Sequence, residues 1–393
     1  MDCLVEIYDN DQINNLVVVM AFKPKKAIFL YDPKYTNEKH LQFLKIACKN
    51  KLPKIIVEFV KINSISIDDI SNTCVSIIHK NQNCFFDITG GGELAAIGTY
   101  LACRKTFTPI FKVDIYENKL INIYGCKFLE NTFTLPNLTI DSIFLAHGAT
   151  ICGYNHPQPS PDLHDSILEF CNAVFADINT WKDLCFYLQT GSSSFSQGSK
   201  SISFFAPKTI NTPRKTVTFS GENFLILAQK LKLIYNLDLS GNTISFIFKN
   251  QKIKKYMTDF GSWLELYTYI TLKKCNMFHD IRMSVKIDWD MNTNKMIEIT
   301  NEIDITFFYG IHPYFVSCKL SEPSSDALHE LSMYPSYFGG PNSRCILVVL
   351  SNINKDKSYI YKRAKEMGIT LIDGNIIRKN KFIDVIKNSL YIK

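Results

Sequence analysis

Short apolar runs alternate with longer amphipathic ones through the first hundred residues of the chain. CLVEIY (residues 3–8), AIFLYD (27–32), IIVEFVKI (55–62) and CFFDI (84–88) have strand length and are rich in β-branched and aromatic side chains. The stretches between them carry helical spacing. They are residues 11–22, TNEKHLQFLKIACKNK (36–51), SIDDISNTCVSIIHK (66–80), which opens on a Ser/Asp cap, and ELAAIGTYLACRK (93–105), which follows three glycines. Strands alternating with helices of this length predict βαβ units and an α/β fold with a parallel, doubly wound sheet. After Thr108 the pattern changes: PIFKVDIYENKLINIYG (109–125) predicts a strand pair turning at Glu117-Asn118. That pair closes a first domain at residues 1–145.

Residues 146–250 are less periodic and are expected to form a connecting region of mainly short helices. NHPQPSPD (155–162) and GSSSFSQGS (191–199) look turn- and linker-like, while residues 162–178 and 222–237 carry helical spacing. Residues 251–393 predict a second domain. Its order is a helix (SWLELYTYITLKK, 262–274), three strands (281–290, 295–309 and 313–320), a helix (324–338), a strand (CILVVLS, 345–351), a helix (357–368) and a last strand (ITLIDG, 369–374).

Composition narrows the class. Hydrophobic residues at 46% and charged residues at 21% exclude long disorder and coiled-coil chains. The best apolar run, LVVVMAF from Leu16, is broken by Lys23, Lys25 and Lys26 and falls short of the ~18 residues of a membrane helix. The N-terminus lacks a signal-peptide pattern, so a soluble protein kept in the cytoplasm, with no membrane partner, is expected. Twelve cysteines without a CxxC pair read as free thiols in a reducing compartment. A net charge of +7 is compatible with a polyanionic partner without demanding one.

The motif ITGGGEL (88–94) places Thr89, Gly90, Gly91, Gly92 and Glu93 between a strand and a helix. Glycines there let a ligand approach the backbone, and amides at a helix start attract anions. The motif is neither GxGxxG nor a Walker loop, which disfavours NAD and ATP. Loops at the carboxyl ends of parallel strands are where open α/β sheets bind ligands, and Tyr8, Asp9 and Asn10 end the first strand on that edge. Asp9 or Asn10 can equally cap the following helix. His147, His156 and His164 fit no single helix face and are expected in surface or packing roles. Ser192 to Ser194 lacks a nucleophile-elbow context.

In the second domain, Glu302 and Asp304 leave the same face of one strand, and Ser317 and Lys319 the same face of the next. With Glu265 on the preceding helix, this set suits phosphodiester hydrolysis. Carboxylates such as Asp304 and Glu265 hold Mg²⁺ or Mn²⁺, and a lysine positions the attacking water. Singly, Lys319 reads as a strand-end salt bridge and Glu265 as an exposed helix charge.

ITGGGEL, GSWLELYTY, NEIDITFF, FVSCK, the glycine pair before CILVV, and RAKEMGITLIDG occur in an order that resembles the CRISPR ancillary nucleases of type III systems. Those proteins fuse a Rossmann-like CARF domain to a restriction-endonuclease-like PD-(D/E)XK domain. The resemblance implies a homodimer that binds cyclic tetra-adenylate, the activator, across its CARF domains. It also implies metal-dependent cleavage of single-stranded DNA or RNA. Two positions depart from the family's pattern. Gly92 and Glu93 stand where a threonine-lysine pair often follows TGG, and Ser317 replaces the acidic member of the (D/E)xK pair. Ser317 keeps a second function open, a cyclic-oligoadenylate-binding regulator or sink with a decayed nuclease domain. A restriction-type nuclease needing no activator is a third.

Overall fold

The computed structural model describes residues 1–195, 201–289, 300–354 and 356–390. The first six strands are β1 (Cys3–Ile7), β2 (Lys26–Tyr31), β3 (Ile56–Lys61), β4 (Cys84–Asp87), β5 (Ile110–Asp114) and β6 (Lys119–Tyr124). They form one sheet in the order β3-β2-β1-β4-β5-β6, parallel except for the β5–β6 hairpin. Order reverses at β1/β4, the Rossmann-like switch point. Alternation along β1 serves two cores. Leu4 packs with Leu16, Leu41 and Leu44 from helices Gln12–Phe22 and Glu38–Lys51, whereas Cys3, Val5 and Ile7 pack with Ile70, Cys74 and Ala102 from helices Ile67–Lys80 and Glu93–Thr106. The sheet is therefore covered on both faces, as the alternating pattern predicts.

A second six-stranded sheet runs β17-β16-β15-β14-β13-β7. Its strands are β7 (Thr150–Tyr154), β13 (His279–Asp288), β14 (Thr300–Tyr309), β15 (His312–Lys319), β16 (Arg344–Val349) and β17 (Thr370–Ile372). β13–β14–β15 is an antiparallel meander, and β16 and β17 add in parallel. One face packs on helix Ser262–Lys274 through Leu264, Leu266 and Ile270; the other on helix Ser325–Phe338 and the first domain.

The middle region differs from its expectation. β7, from the stretch given to the connector, pairs antiparallel with β13 and becomes the sheet's edge strand. Two long helices, His164–Ala176 and Ile178–Phe195, precede β8 (Ser203–Pro207), the hairpin β9 (Thr209–Asn211)–β10 (Thr216–Thr218), β11 (Ile234–Asp238) and β12 (Thr243–Phe248). β11, β12 and β8 form a three-stranded sheet. The helical spacing of residues 222–237 holds only for Glu222–Lys230; the remainder turns and becomes β11. The serine-rich stretch is helical through Phe195, and residues 196–199 lie outside the described residues, as do 290 and 295–299 of the predicted strands. This region is a brace. Phe170 and Trp181 pack edge-on or tilted against Trp263, with centroids at 4.5 and 5.6 Å, fixing the helix that carries Glu265. The twelve cysteines are all free, nine of them buried, and no helix among the described residues is long and apolar enough to cross a membrane.

Candidate functional site

Glu265 stands in the first turn of helix Ser262–Lys274, whose start is held by Asp259: its Oδ1 accepts from the Gly261 and Ser262 amides at 2.9 and 3.1 Å. The helix aims Glu265 at the β13–β15 meander, where Ser284 donates to Glu265 Oε2 at 2.8 Å. Asp304 faces the β14–β15 hairpin. Its Oδ2 accepts from the Cys318 amide at 2.7 Å and from the Ser317 hydroxyl at 3.3 Å. Glu302, Asp304, Ser317 and Lys319 line one small pocket of ≈ 30 Å³ closed by Tyr334 and Glu330. The structure thus brings Glu265, Glu302, Asp304, Ser317 and Lys319 to one end of the meander.

His156 joins this group from the segment after β7. It is buried, with Nδ1 at 3.2 Å from Ser284 Oγ and 3.7 Å from Glu265, and Nε2 at 3.3 Å from Asp259. Donor atoms of His156, Glu265 and Glu302 lie within 4.8 Å of one another. Asn155 donates to Glu302. His156, for which a surface or packing role was expected, is buried beside the cluster, while His147 and His164 lie elsewhere, His147 against the Ile143 carbonyl. No local signal marked His156 or Asn155, because chain folding brings them in from the other side of the brace. Asp259 had a signal, since it precedes the glycine of GSWLE as a helix-start acid.

The electrostatics of the cluster follow from burial and crowding. Burial raises Asp304, against Lys319 and the Cys318 amide, which favour its charge. Burial also raises Glu265, with His156 opposing and Asp304 adding, and raises Glu302, with Glu265 adding. Burial pulls His156 down, but Asp259 and Glu265 outweigh it and hold the imidazole at about 9. Three carboxylates packed this closely repel one another, and a divalent cation would relieve that repulsion. The carboxylate oxygens form a donor set that fits Mn²⁺ or Mg²⁺, while His156, held as a cation by Asp259 and Glu265, offers a metal no lone pair until it loses its proton.

The other group of residues lies at the carboxyl edge of the first sheet, around a pocket of ≈ 540 Å³. Tyr8, Asp9, Asn10, Gly91, Gly92 and Glu93 line it together with Asp32, Tyr35 and Ser64. Asp32 and Ser64 follow β2 and β3, so the strand-end rule that selected Tyr8 to Asn10 reaches them too. Asp9 ties the two loops: its Oδ2 accepts from the Gly91 amide at 3.1 Å and from Asn14 at 3.2 Å. Gly91 has φ +80°, and a Cβ there would stand 2.1 Å from Ile7, so the turn needs glycine. Gly90 is buried beneath Asp9. Thr89 is not on the wall, because its hydroxyl donates to Asp87 and accepts from the Val113 amide. The walls carry Asp9, Asp32 and Glu93 and neither lysine nor arginine.

The chain thus joins a Rossmann-like domain to a meander domain that carries a carboxylate–lysine cluster. Residues 252–386 match the family described as the Card1-like endonuclease domain. Three solved structures share the fold. Protein VC1899 from Vibrio cholerae is 17% identical, with TM-score 0.74, over 98% of this chain and 97% of that one. Can2 from Sulfobacillus thermosulfidooxidans, in complex with cyclic tetra-adenylate, is 16% identical, with TM-score 0.67, over 98% and 99%. A type III CRISPR defence DNA nuclease activated by cyclic oligoadenylate is 13% identical, with TM-score 0.53, over 93% of this chain and 51% of that one. Comparison with curated proteins gives no match.

Proposed function

We propose that this protein is a cyclic tetra-adenylate-activated, metal-dependent nuclease. It cuts single-stranded DNA or RNA as a homodimer in the cytoplasm, in type III CRISPR defence. The observation that carries this reading is the convergence of Glu265, Glu302, Asp304 and Lys319 in a domain that matches the Card1-like endonuclease family, with His156 brought against them from outside it. Asp304 and Glu265 would hold the divalent cation, and the donor atoms of Glu302 and His156 gather around Glu265 at that site. The cation, when bound, lowers the pKa of a water and steadies charge on the scissile phosphate. Lys319 orients that water and adds positive charge beside Asp304. Ser317 is a neutral, weaker donor than the family's acid. His156 keeps Glu265 aimed at the meander through Ser284.

In the first domain, the pocket presents acceptors more than cations. Adenine amino groups suit Asp9, Asp32 and Glu93, and the glycine-turn amides suit the ring's phosphates. A ligand with its own twofold symmetry suits an isologous dimer. The competing reading, a regulator or sink with a decayed nuclease, draws on Ser317 alone. One assay separates them: incubation with single-stranded DNA and RNA, with and without cyclic tetra-adenylate, in Mn²⁺, Mg²⁺ or EDTA. Cutting that requires both activator and metal is expected. Activator binding without cutting under any condition would favour the sink, and cutting without activator would favour a constitutive nuclease.

A further inference from the structure

A pocket of ≈ 460 Å³ lies between helix Ile178–Phe195 and the β9–β10 hairpin, apart from the carboxylate cluster. Phe186 and Phe260 give it aromatic surface, and Lys182 and Lys215 give it cations; a single acid, Asp183, also lines it. Lys215 stands over the Phe186 ring at 3.7 Å from the centroid. The hairpin tip that carries Lys215 is braced, since the Thr212 hydroxyl donates to the Lys215 carbonyl at 2.7 Å and accepts from its amide at 3.1 Å.

Several other lysines of this region are committed to protein oxygens. Lys208, Lys252, Lys254 and Lys255 donate to the carbonyls of Leu239, Gln158, Ser201 and Asn155, and Lys249 faces Asp162. Among the described residues, no protein oxygen is held by Lys182, Lys215 or the exposed Arg214 beside it. The pocket also sits next to the chemistry. Phe260 on its wall directly follows Asp259, which contacts His156 and starts the helix bearing Glu265.

We propose that this pocket is a subsite for single-stranded nucleic acid, the lysines meeting phosphates and the two rings meeting unstacked bases, on the path to the carboxylate cluster. Aromatic faces combined with unpaired cations are the physical signature of single-strand binding. A duplex keeps its bases stacked and cannot offer them to recessed rings. The proposal rests on the nuclease reading above.

The test uses the full chain in its Asp304→Ala form with cyclic tetra-adenylate present. Anisotropy of labelled oligothymidylate, oligouridylate and a blunt duplex is followed across a salt series. Lys182→Ala/Lys215→Ala should weaken single-strand binding about tenfold and lower the slope of log K against log salt by about 1.4, two contacts at about 0.7 each. Phe186→Ala should weaken binding about tenfold with the slope unchanged, and Lys215→Arg should keep affinity and slope. Melting curves and activator binding should match the parent in every variant. Unchanged affinity and slope in the double lysine variant, or an equal loss on the duplex, would overturn the subsite. Cleavage by the unaltered protein is measured alongside: if it cuts while the variants bind normally, only the subsite fails, and if it neither binds nor cuts, both readings fail.

Discussion

Each carboxylate of the cluster is held by a neighbour that sets its direction. Asp304 leans on the Cys318 amide and Ser317, and Glu265 on Ser284. Removing one carboxylate from such a site lowers metal occupancy, whereas removing lysine leaves the metal and loses orientation and charge. Asp304→Ala is therefore expected to abolish cleavage and weaken Mn²⁺ binding in titration calorimetry. Lys319→Ala should slow cleavage by about 10²-fold or more with Mn²⁺ binding retained. Full activity in Asp304→Ala would put the active site elsewhere. Ser317→Asp sets a new carboxylate against Asp304, and like charges repel when no cation lies between them. We expect it to lower the melting temperature without metal and to tighten Mn²⁺ binding. The opposite pair of shifts would reject a metal-facing position for Ser317.

At the scale of elements, the glycine turn and the strand edge make separate predictions. Gly91→Ala forces a Cβ into Ile7 at a left-handed φ, so the turn must move and the Asp9 clip must loosen. A cost of about 1–3 kcal/mol and a large loss of cyclic tetra-adenylate affinity are expected, measured by thermal melting and calorimetry. Unchanged affinity would show that the turn is remote from the ligand. Beneath it, Glu6 of β1 pairs in register with Asp87 of β4, both buried, and Glu6 Oε1 has no partner among the described residues. Burial pushes Asp87 up to about 7, and burial with the Asp87 charge also raises Glu6 well above its ordinary value. Each folded-state pKa exceeds its unfolded value, so above about pH 4.5 the unfolded chain binds fewer protons and stability falls as pH rises. The slope is about 1.4 kcal/mol per pH unit per acid until the folded pKa is passed. Glu6→Gln removes one such contribution and should raise the melting temperature more at pH 8 than at pH 5. Equal gains at both pH values would contradict a protonated Glu6.

Across the whole molecule, the Tyr8–Asp9–Asn10 loop and the second domain share one contact network. Asp11 follows the Tyr8–Asp9–Asn10 edge and caps helix Gln12–Phe22. It also accepts from the buried Asn342 side chain at 2.7 Å, and the Asn342 carbonyl meets His312 on β15, the strand carrying Lys319. Gly339, in the turn before β16, packs against Ile13 so closely that a Cβ would stand 2.8 Å from Ile13 Cδ1. Burial raises Asp11 to about 6, and the Asn342 bond opposes that rise. A contact of this kind can bias one domain by the state of the other. Asn342→Ala should leave cyclic tetra-adenylate binding within a few-fold while reducing activation of cleavage by about 5- to 150-fold. Wild-type activation in that variant would mean that coupling runs through other contacts, such as the Arg282–Asp141 ion pair.

The alternating strands and helices of the first domain, and the placing of Asp304 and Lys319 on the two strands of one hairpin, were legible in the sequence. Both rest on local periodicity, and a period of two puts residues 302 and 304, or 317 and 319, on one face whatever surrounds them. The glycine turn was legible for the same local reason, but the direction of Thr89 was not: Val113, whose amide its hydroxyl accepts from, lies on the neighbouring strand β5. The middle region was illegible because β8 pairs with β12 across the β9–β10 hairpin, a helix and β11, and β7 leaves its neighbours to join β13. His156 shows the limit most clearly. Nothing near it in the chain marks it as part of a site, and its role arises only when β7 docks on the sheet and the brace seats Glu265 beside it. Local order follows from side-chain pattern and chain stereochemistry, whereas the company a buried polar group keeps is decided by long-range packing, which only the folded molecule supplies.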